Sequence, residues 1–202
     1  MPKSIKHAKP QQLDDKTHEI LLSFLRDLRE LPNEAAKRTR FAVLIGELFP
    51  GSKAVTKFPE GTEKIVRIDT AVGRKSGRMD SYYGNAVIEF EKSLKATGKE
   101  AESQLQEYTA GLWSSEPPPR PLIAIASDGV TWRVYLPRLS DKGKGKIKPE
   151  DIELELTREL VVTEDTLADF WLWLTSLLFR PGGVAASSEQ FRLDFGATSA
   201  AE

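Results

Sequence analysis

The chain has no cysteine and only two histidines, His7 and His18, among its 202 residues. Without cysteine there is no disulfide, no thiolate-held zinc, no iron–sulfur cluster and no thiol nucleophile. Both histidines fall in the first 18 residues, in or beside a polar leader, so neither a His-based triad nor a His-rich metal site is expected. Long apolar runs are also missing. The strongest, Ala168 to Phe179, spans 12 residues and contains Thr175 and Ser176, short of the ~20 that a membrane span requires. The opening MPKSIKHAKPQQ lacks the apolar core of a signal peptide, so a cytoplasmic protein with no membrane contact is expected. What remains for chemistry is carboxylates, lysines, hydroxyls and a metal held by oxygen.

The composition is that of a globular chain, 40% apolar and 29% charged, with 29 Lys+Arg against 30 Asp+Glu. That balance is uneven along the sequence. Residues 131–150 carry six bases against two acids, a local +4, and residues 151–170 carry seven acids against one Arg, a local −6. Local pattern rather than net charge therefore informs about partners.

One domain is expected over residues 17–180, after a flexible leader over 1–16 and before a small-residue linker or frayed tail over 181–202. Thr17 is expected to cap a helix running to about Glu30, with Leu21, Phe24, Leu25 and Leu28 on one face. Asn33 caps a second, striped by Phe41, Leu44, Ile45 and Leu48 and ended by Pro50-Gly51. Strands are expected at Lys64–Thr70, Arg78–Tyr83 and Ala86–Lys92, with Gly73 and Gly77 marking a loop and Gly84-Asn85 a tight turn. A helix over Lys99–Trp113 places Ala101, Gln104, Leu105, Tyr108 and Leu112 together. The run Pro121–Ser127 reads as a strand buried on both faces. Asp128-Gly129 turns it into a strand over Val130–Leu136. Alternating Ile152, Leu154 and Leu156 mark an edge strand, and a last helix covers Thr166–Phe179. This order is α/β, with a mixed central sheet flanked by helices.

The chemistry concentrates in Gly77–Lys92, GRMDSYYGNAVIEFEK. If Gly84-Asn85 is a two-residue turn, Tyr83 faces Ala86, Tyr82 faces Val87, Ser81 faces Ile88 and Asp80 faces Glu89. Side chains alternate along a strand, so Glu91 joins Asp80 and Glu89 while Ile88 and Phe90 point the other way. Acids directly opposite each other repel, by ~4 kcal/mol at ~4 Å and an effective dielectric of ~20, and call for a cation. An all-oxygen cluster suits Mg²⁺ or Mn²⁺. The competing reading is a solvated strand face on which Glu91 pairs with Arg78.

Asp80 followed, eight residues later, by Glu89-Phe90-Glu91-Lys92 resembles the motif of the PD-(D/E)xK nuclease superfamily. Gln104 and Tyr108, one helical turn apart, are similar to the Gln-x-x-x-Tyr element of its RecB-like and restriction-enzyme branches. The resemblance spans Asn33 to Leu136. Asp128-Gly129 with Trp132–Tyr135 is similar to a strand hairpin of type I and type IIG restriction enzymes. It implies a restriction-endonuclease-like core and a Mg²⁺-dependent endonuclease acting on DNA within a restriction-modification system. The alternative is a catalytically inactive module of that fold, binding DNA or a partner protein. Asp80 and Glu89 become metal ligands, Glu91 a ligand or water-orienting base, and Gln104 and Tyr108 site residues. Glu91 stands where the family usually carries Lys, and some restriction enzymes carry a second Glu there. Lys92 is a weaker substitute, because a flat strand points it to the opposite face. Glu47 resembles a helix-borne acid that completes the site in part of the family; otherwise it is an exposed helix-end Glu. Candidate DNA contacts are Arg74, Lys75 and Arg78, then Lys95 and Lys99, then Lys144 and Lys146. Cutting both strands implies a homodimer or further domains of a larger enzyme.

Overall fold

A computed structural model describes residues 13–50, 64–70, 73–79, 81–83, 86–115, 122–140 and 147–175, with backbone alone for those of 64–83 and for Ser115. The leader before residue 13, the loop over 141–146 with Lys144 and Lys146, and the tail over 181–202 lie outside the described residues.

Helix α1 spans Asp15–Leu28 and α2 spans Glu34–Leu48. The cap of α1 is Asp14 rather than Thr17. The Thr17 amide donates to the Asp14 carboxylate at 2.7 Å, and this bond holds the Asp14 carboxyl below its ordinary value. A carboxylate at this position also complements the positive end of the helix dipole, which a hydroxyl three residues later would not. Asn33 caps α2 as expected, accepting from the Ala36 amide at 2.9 Å. Asn33→Ala is therefore expected to lower the unfolding free energy by about 1 kcal/mol. Urea denaturation checks this, and an unchanged midpoint would mean that water serves the Ala36 amide equally well.

Strands β1 (Lys64–Thr70) and β2 (Gly73–Met79) form an antiparallel hairpin. Gly73 and Gly77 thus lie inside a strand, paired with Thr70 and Val66, and not in the expected loop. Glycine gives no side-chain alternation to read, but its backbone completes a ladder like any other.

The second sheet has five strands in the order β3 (Ser81–Tyr83), β4 (Ala86–Phe90), β5 (Ile123–Ser127), β6 (Thr131–Leu139) and β7 (Ile152–Val161). Among the described strands only β4 and β5 are parallel. A parallel pair needs a crossover, supplied here by helix α3, Leu94–Ser115. This helix begins five residues before the expected Lys99. Thr97 has φ −118° and ψ 19°, so a separate first turn precedes the main helix. That turn opens at Leu94, whose amide donates to Asp128 Oδ2 at 3.0 Å. Helix α4, Leu167–Trp173, closes the described fold after a 3-10 turn at Glu164–Thr166.

Both faces of the sheet are covered. On one side α1, α2 and α4 bury Phe24, Phe41, Phe90, Trp132, Phe170 and Trp173. On the other, α3 buries Val87, Leu105, Ala124, Ala126 and Tyr135. Every residue of β5 is buried, as its continuous apolar run predicts. The fold is α/β with a mixed sheet flanked by helices. No helix among the described residues is long and apolar enough to cross a membrane.

Candidate functional site

The register of β3 against β4 is the expected one, Ser81↔Ile88, Tyr82↔Val87 and Tyr83↔Ala86. Asp80, the residue before Ser81, lies outside the described residues. On β4, Ala86, Ile88 and Phe90 enter the core under α1 and α2. Val87 enters the core under α3, so strand alternation directs Glu89 to the same side. The backbone pairing continues one step past β4, the Glu91 amide donating to the Ser127 carbonyl at 2.8 Å, which keeps Glu91 in phase with Glu89.

Both acids are only 6% exposed. The pair is therefore not on a solvated face, while the expected partner of Glu91, the Arg78 side chain, lies outside the described residues. The cause is α3, whose first turn folds back over the end of β4: the Thr97 hydroxyl donates to Glu91 Oε2 at 2.6 Å, with the Ser93 carbonyl 3.0 Å from the same hydroxyl oxygen. Two carboxylates two positions apart on a strand are spaced by about 6.6 Å along the backbone. At an effective dielectric of 20 their repulsion is about 2.5 kcal/mol. Buried like charges at that spacing call for positive charge nearby.

The turn at the end of β5 frames the same region. Asp128 Oδ1 accepts from the Val130 and Thr131 amides at 3.1 and 2.7 Å, while its Oδ2 holds Leu94. Gly129 adopts φ +88°, and a Cβ there would lie 2.7 Å from a Leu28 methyl. Asp128 thus ties the hairpin expected from Asp128-Gly129 to the start of α3. The sequence marked this turn for its shape; it did not mark the carboxylate as the group that seats the helix.

A cation missed by the sequence reading shares the Glu89 face. Glu89 is beside Ala126, Ala126 beside Arg133, and Arg133 beside Glu159. Arg133 is thus two strands, about 10 Å, from Glu89 with only a small residue between. Its Nε donates to Glu159 at 2.6 Å, and its guanidinium lies against Gly98, where an added Cβ would meet Nη1 at 2.7 Å. Counting positions from Glu89 across an unknown sheet cannot find such a residue; only the β5–β6 register places it.

Gln104 is half-buried and Tyr108 is buried on α3, on the side that covers the sheet. Lys92 is exposed, and its carbonyl accepts from Lys37 Nζ at 2.7 Å. Glu47 is exposed on α2 and accepts from Arg40 at 3.2 Å. It lies ten residues, about 15 Å along the helix, from Lys37. Lys95 and Lys99 are exposed on the first turns of α3. Arg74, Lys75 and Arg78 fall on β2, paired with Asp69, Ile68 and Ile65, and their side chains lie outside the described residues. Among the described residues no three His, Asp or Glu side chains are gathered as a metal site.

Away from the acids, the Tyr135 hydroxyl donates to Glu102 at 2.8 Å, joining β6 to α3. Burial, and then this bond, push the Tyr135 phenol well above its ordinary value. The folded chain therefore holds this proton longer than the unfolded chain, whose tyrosines titrate near pH ~10. The contribution to stability is complete below pH ~10 and is lost as pH rises beyond it. Unfolding curves across that range are expected to show a steeper alkaline loss for the wild type than for Tyr135→Phe; parallel losses would contradict the assignment.

No family model, curated protein or solved structure matches the chain.

Proposed function

We propose that the chain is a restriction-endonuclease-like domain that hydrolyses DNA phosphodiester bonds with Mg²⁺ or Mn²⁺, as part of a restriction system. One observation carries the reading: Glu89 and Glu91 are buried side by side where β4 ends and the crossover helix begins. Burial of two like charges is costly, and an enzyme that must hold a hard cation has a reason to bear that cost.

The donor set fits such an ion, because the side chains offered are carboxylates and hydroxyls without sulfur or imidazole. Glu89 would hold it together with Asp80, with Glu91 as third ligand or as the group that orients water. When bound, Mg²⁺ lowers the pKa of a coordinated water and offsets charge on a phosphate. The chain's own part is positional. Thr97 fixes the rotation of the Glu91 carboxylate through its hydrogen bond. Asp128 holds the α3 turn that carries Thr97. Lys95 and Lys99, exposed on that helix, would be its contacts to a DNA backbone.

Plasmid cleavage in Mg²⁺, Mn²⁺ and EDTA tests the reading, comparing wild type with Asp80→Ala and Glu89→Ala. Metal-dependent nicking that both substitutions abolish is expected. Equal activity in all three proteins would sink the assignment. A wild type that binds DNA but never cuts it would favour the inactive module, for which Glu91 in the usual lysine position is the supporting feature.

A further inference from the structure

Lys37 is a charged residue in an apolar position. On α2 it continues the buried stripe formed by Phe41, Leu44 and Ile45, and it is only 9% exposed. Phe41 lies against Phe90, the last residue of β4, with ring centroids 5.7 Å apart. One helical turn earlier, Lys37 reaches past Phe90 to the Lys92 carbonyl at 2.7 Å. Its ammonium is therefore held at the carboxyl end of β4, one residue beyond Glu91, where the two faces of the sheet meet.

An ammonium has three N–H donors. One goes to Lys92, and no carboxylate among the described residues forms an ion pair with Lys37. A buried cation is expected to be matched by negative charge, and here the protein's described part provides a carbonyl dipole only. The crevice outside the carboxyl ends of parallel strands is where ligands of open α/β sheets bind. We infer that the charge which completes Lys37 belongs to the ligand: Lys37 is a phosphate-contacting residue of this site, approaching from α2 while Glu89 and Glu91 approach from the α3 side.

This inference rests on the nuclease reading for the identity of its ligand, a phosphate of a nucleic-acid backbone. A lysine in this role needs no place on the strand, so Glu91 can remain a carboxylate without leaving the site devoid of a cation.

The test uses the full chain with Lys37→Met, which keeps the aliphatic stem, and Lys37→Arg, which keeps the charge. Binding of a short duplex is read by fluorescence anisotropy with Ca²⁺ replacing Mg²⁺, and unfolding midpoints are measured with inorganic phosphate against chloride at equal ionic strength. Lys37→Met is expected to weaken duplex binding about tenfold or more, the size of one hydrogen bond to a charged group, with partial recovery in Lys37→Arg. It is also expected to flatten the salt dependence of log K by about 0.9, the release of one counterion. Small primary amines should restore part of the binding to Lys37→Ala, which a purely structural lysine would not allow. Unchanged duplex affinity, salt slope and phosphate stabilisation in Lys37→Met would overturn the proposal and leave the nuclease reading intact. A wild type that ignores DNA yet gains stability from phosphate, in a way that Lys37→Met loses, would support the phosphate site and overturn the nuclease reading. A wild type that responds to neither overturns both.

Discussion

Trp132→Ala is expected to cost about 3–5 kcal/mol of folding stability, the range for deleting a large aromatic side chain from a packed core. Trp132 is fully buried on β6, and four rings surround it: Phe41 at 4.9 Å, Trp173 at 5.1 Å, Phe170 at 5.6 Å and Phe90 at 5.9 Å, centroid to centroid. Those rings come from α2, α4 and β4, so the indole is where the helical layer and the sheet are joined. Its Nε1 also donates to the Gly129 carbonyl at 3.0 Å, bracing the turn whose Asp128 carboxylate seats α3. The substitution thus leaves a cavity on one face and loosens a turn serving the other. Domains of this kind are stable by about 5–15 kcal/mol, so the loss is a large fraction of the total. Trp132→Phe keeps most of the ring contact and gives up the hydrogen bond, and should cost about 1–2 kcal/mol. Urea unfolding at equilibrium measures both, and a loss below about 1 kcal/mol for the alanine variant would show that the cluster repacks around the gap.

Most of this architecture was legible in the sequence because it is written in periodicity. The stripe Phe41, Leu44, Ile45 marks α2, the unbroken PLIAIAS marks β5, and the Gly84-Asn85 turn predicts the observed β3–β4 pairs. What was missed has local causes without a periodic signal. The start of α3 at Leu94 depends on an acceptor 34 residues away, Asp128. The exchange of Thr17 for Asp14 as cap turns on which side chain meets the amide, since both residue types are capable of it. In the site, alternation correctly separates Glu89 from Ile88 and Phe90, but it cannot tell a solvated face from a buried one; that depends on α3 folding over the strand. Lys37 and Arg133 were illegible for a further reason. A lysine in an apolar stripe reads as a flaw in the pattern, and an arginine two strands from the acids becomes their neighbour only through the β4–β5–β6 register.

Glu89→Gln should separate the chemistry of the site from its packing more sharply than any alanine variant. The amide has nearly the shape of the carboxylate it replaces, so the core formed by Val87, Ala126 and α3 need not rearrange. Removing one charge also relieves the repulsion with Glu91, about 2.5 kcal/mol at an effective dielectric of 20. The fold should therefore survive. On the nuclease reading, activity should not survive. A hard divalent cation held there would lose a charged oxygen donor for a neutral one, and stabilisation of phosphate charge by such an ion is worth several kcal/mol. A loss of about 4 kcal/mol corresponds to a rate lower by about a thousandfold. Ligand linkage gives an independent readout. At a Mg²⁺ or Mn²⁺ concentration about 100 times its dissociation constant, the wild type should gain about 2.7 kcal/mol of stability, and Glu89→Gln should gain little. Glu91→Gln divides the two roles open to that residue. If Glu91 is a ligand, its variant loses the metal-dependent gain in stability as Glu89→Gln does. If it orients water, the gain persists while cleavage falls. An equal metal response in wild type and Glu89→Gln, with cleavage intact in both, would mean that the buried acid pair has no part in catalysis.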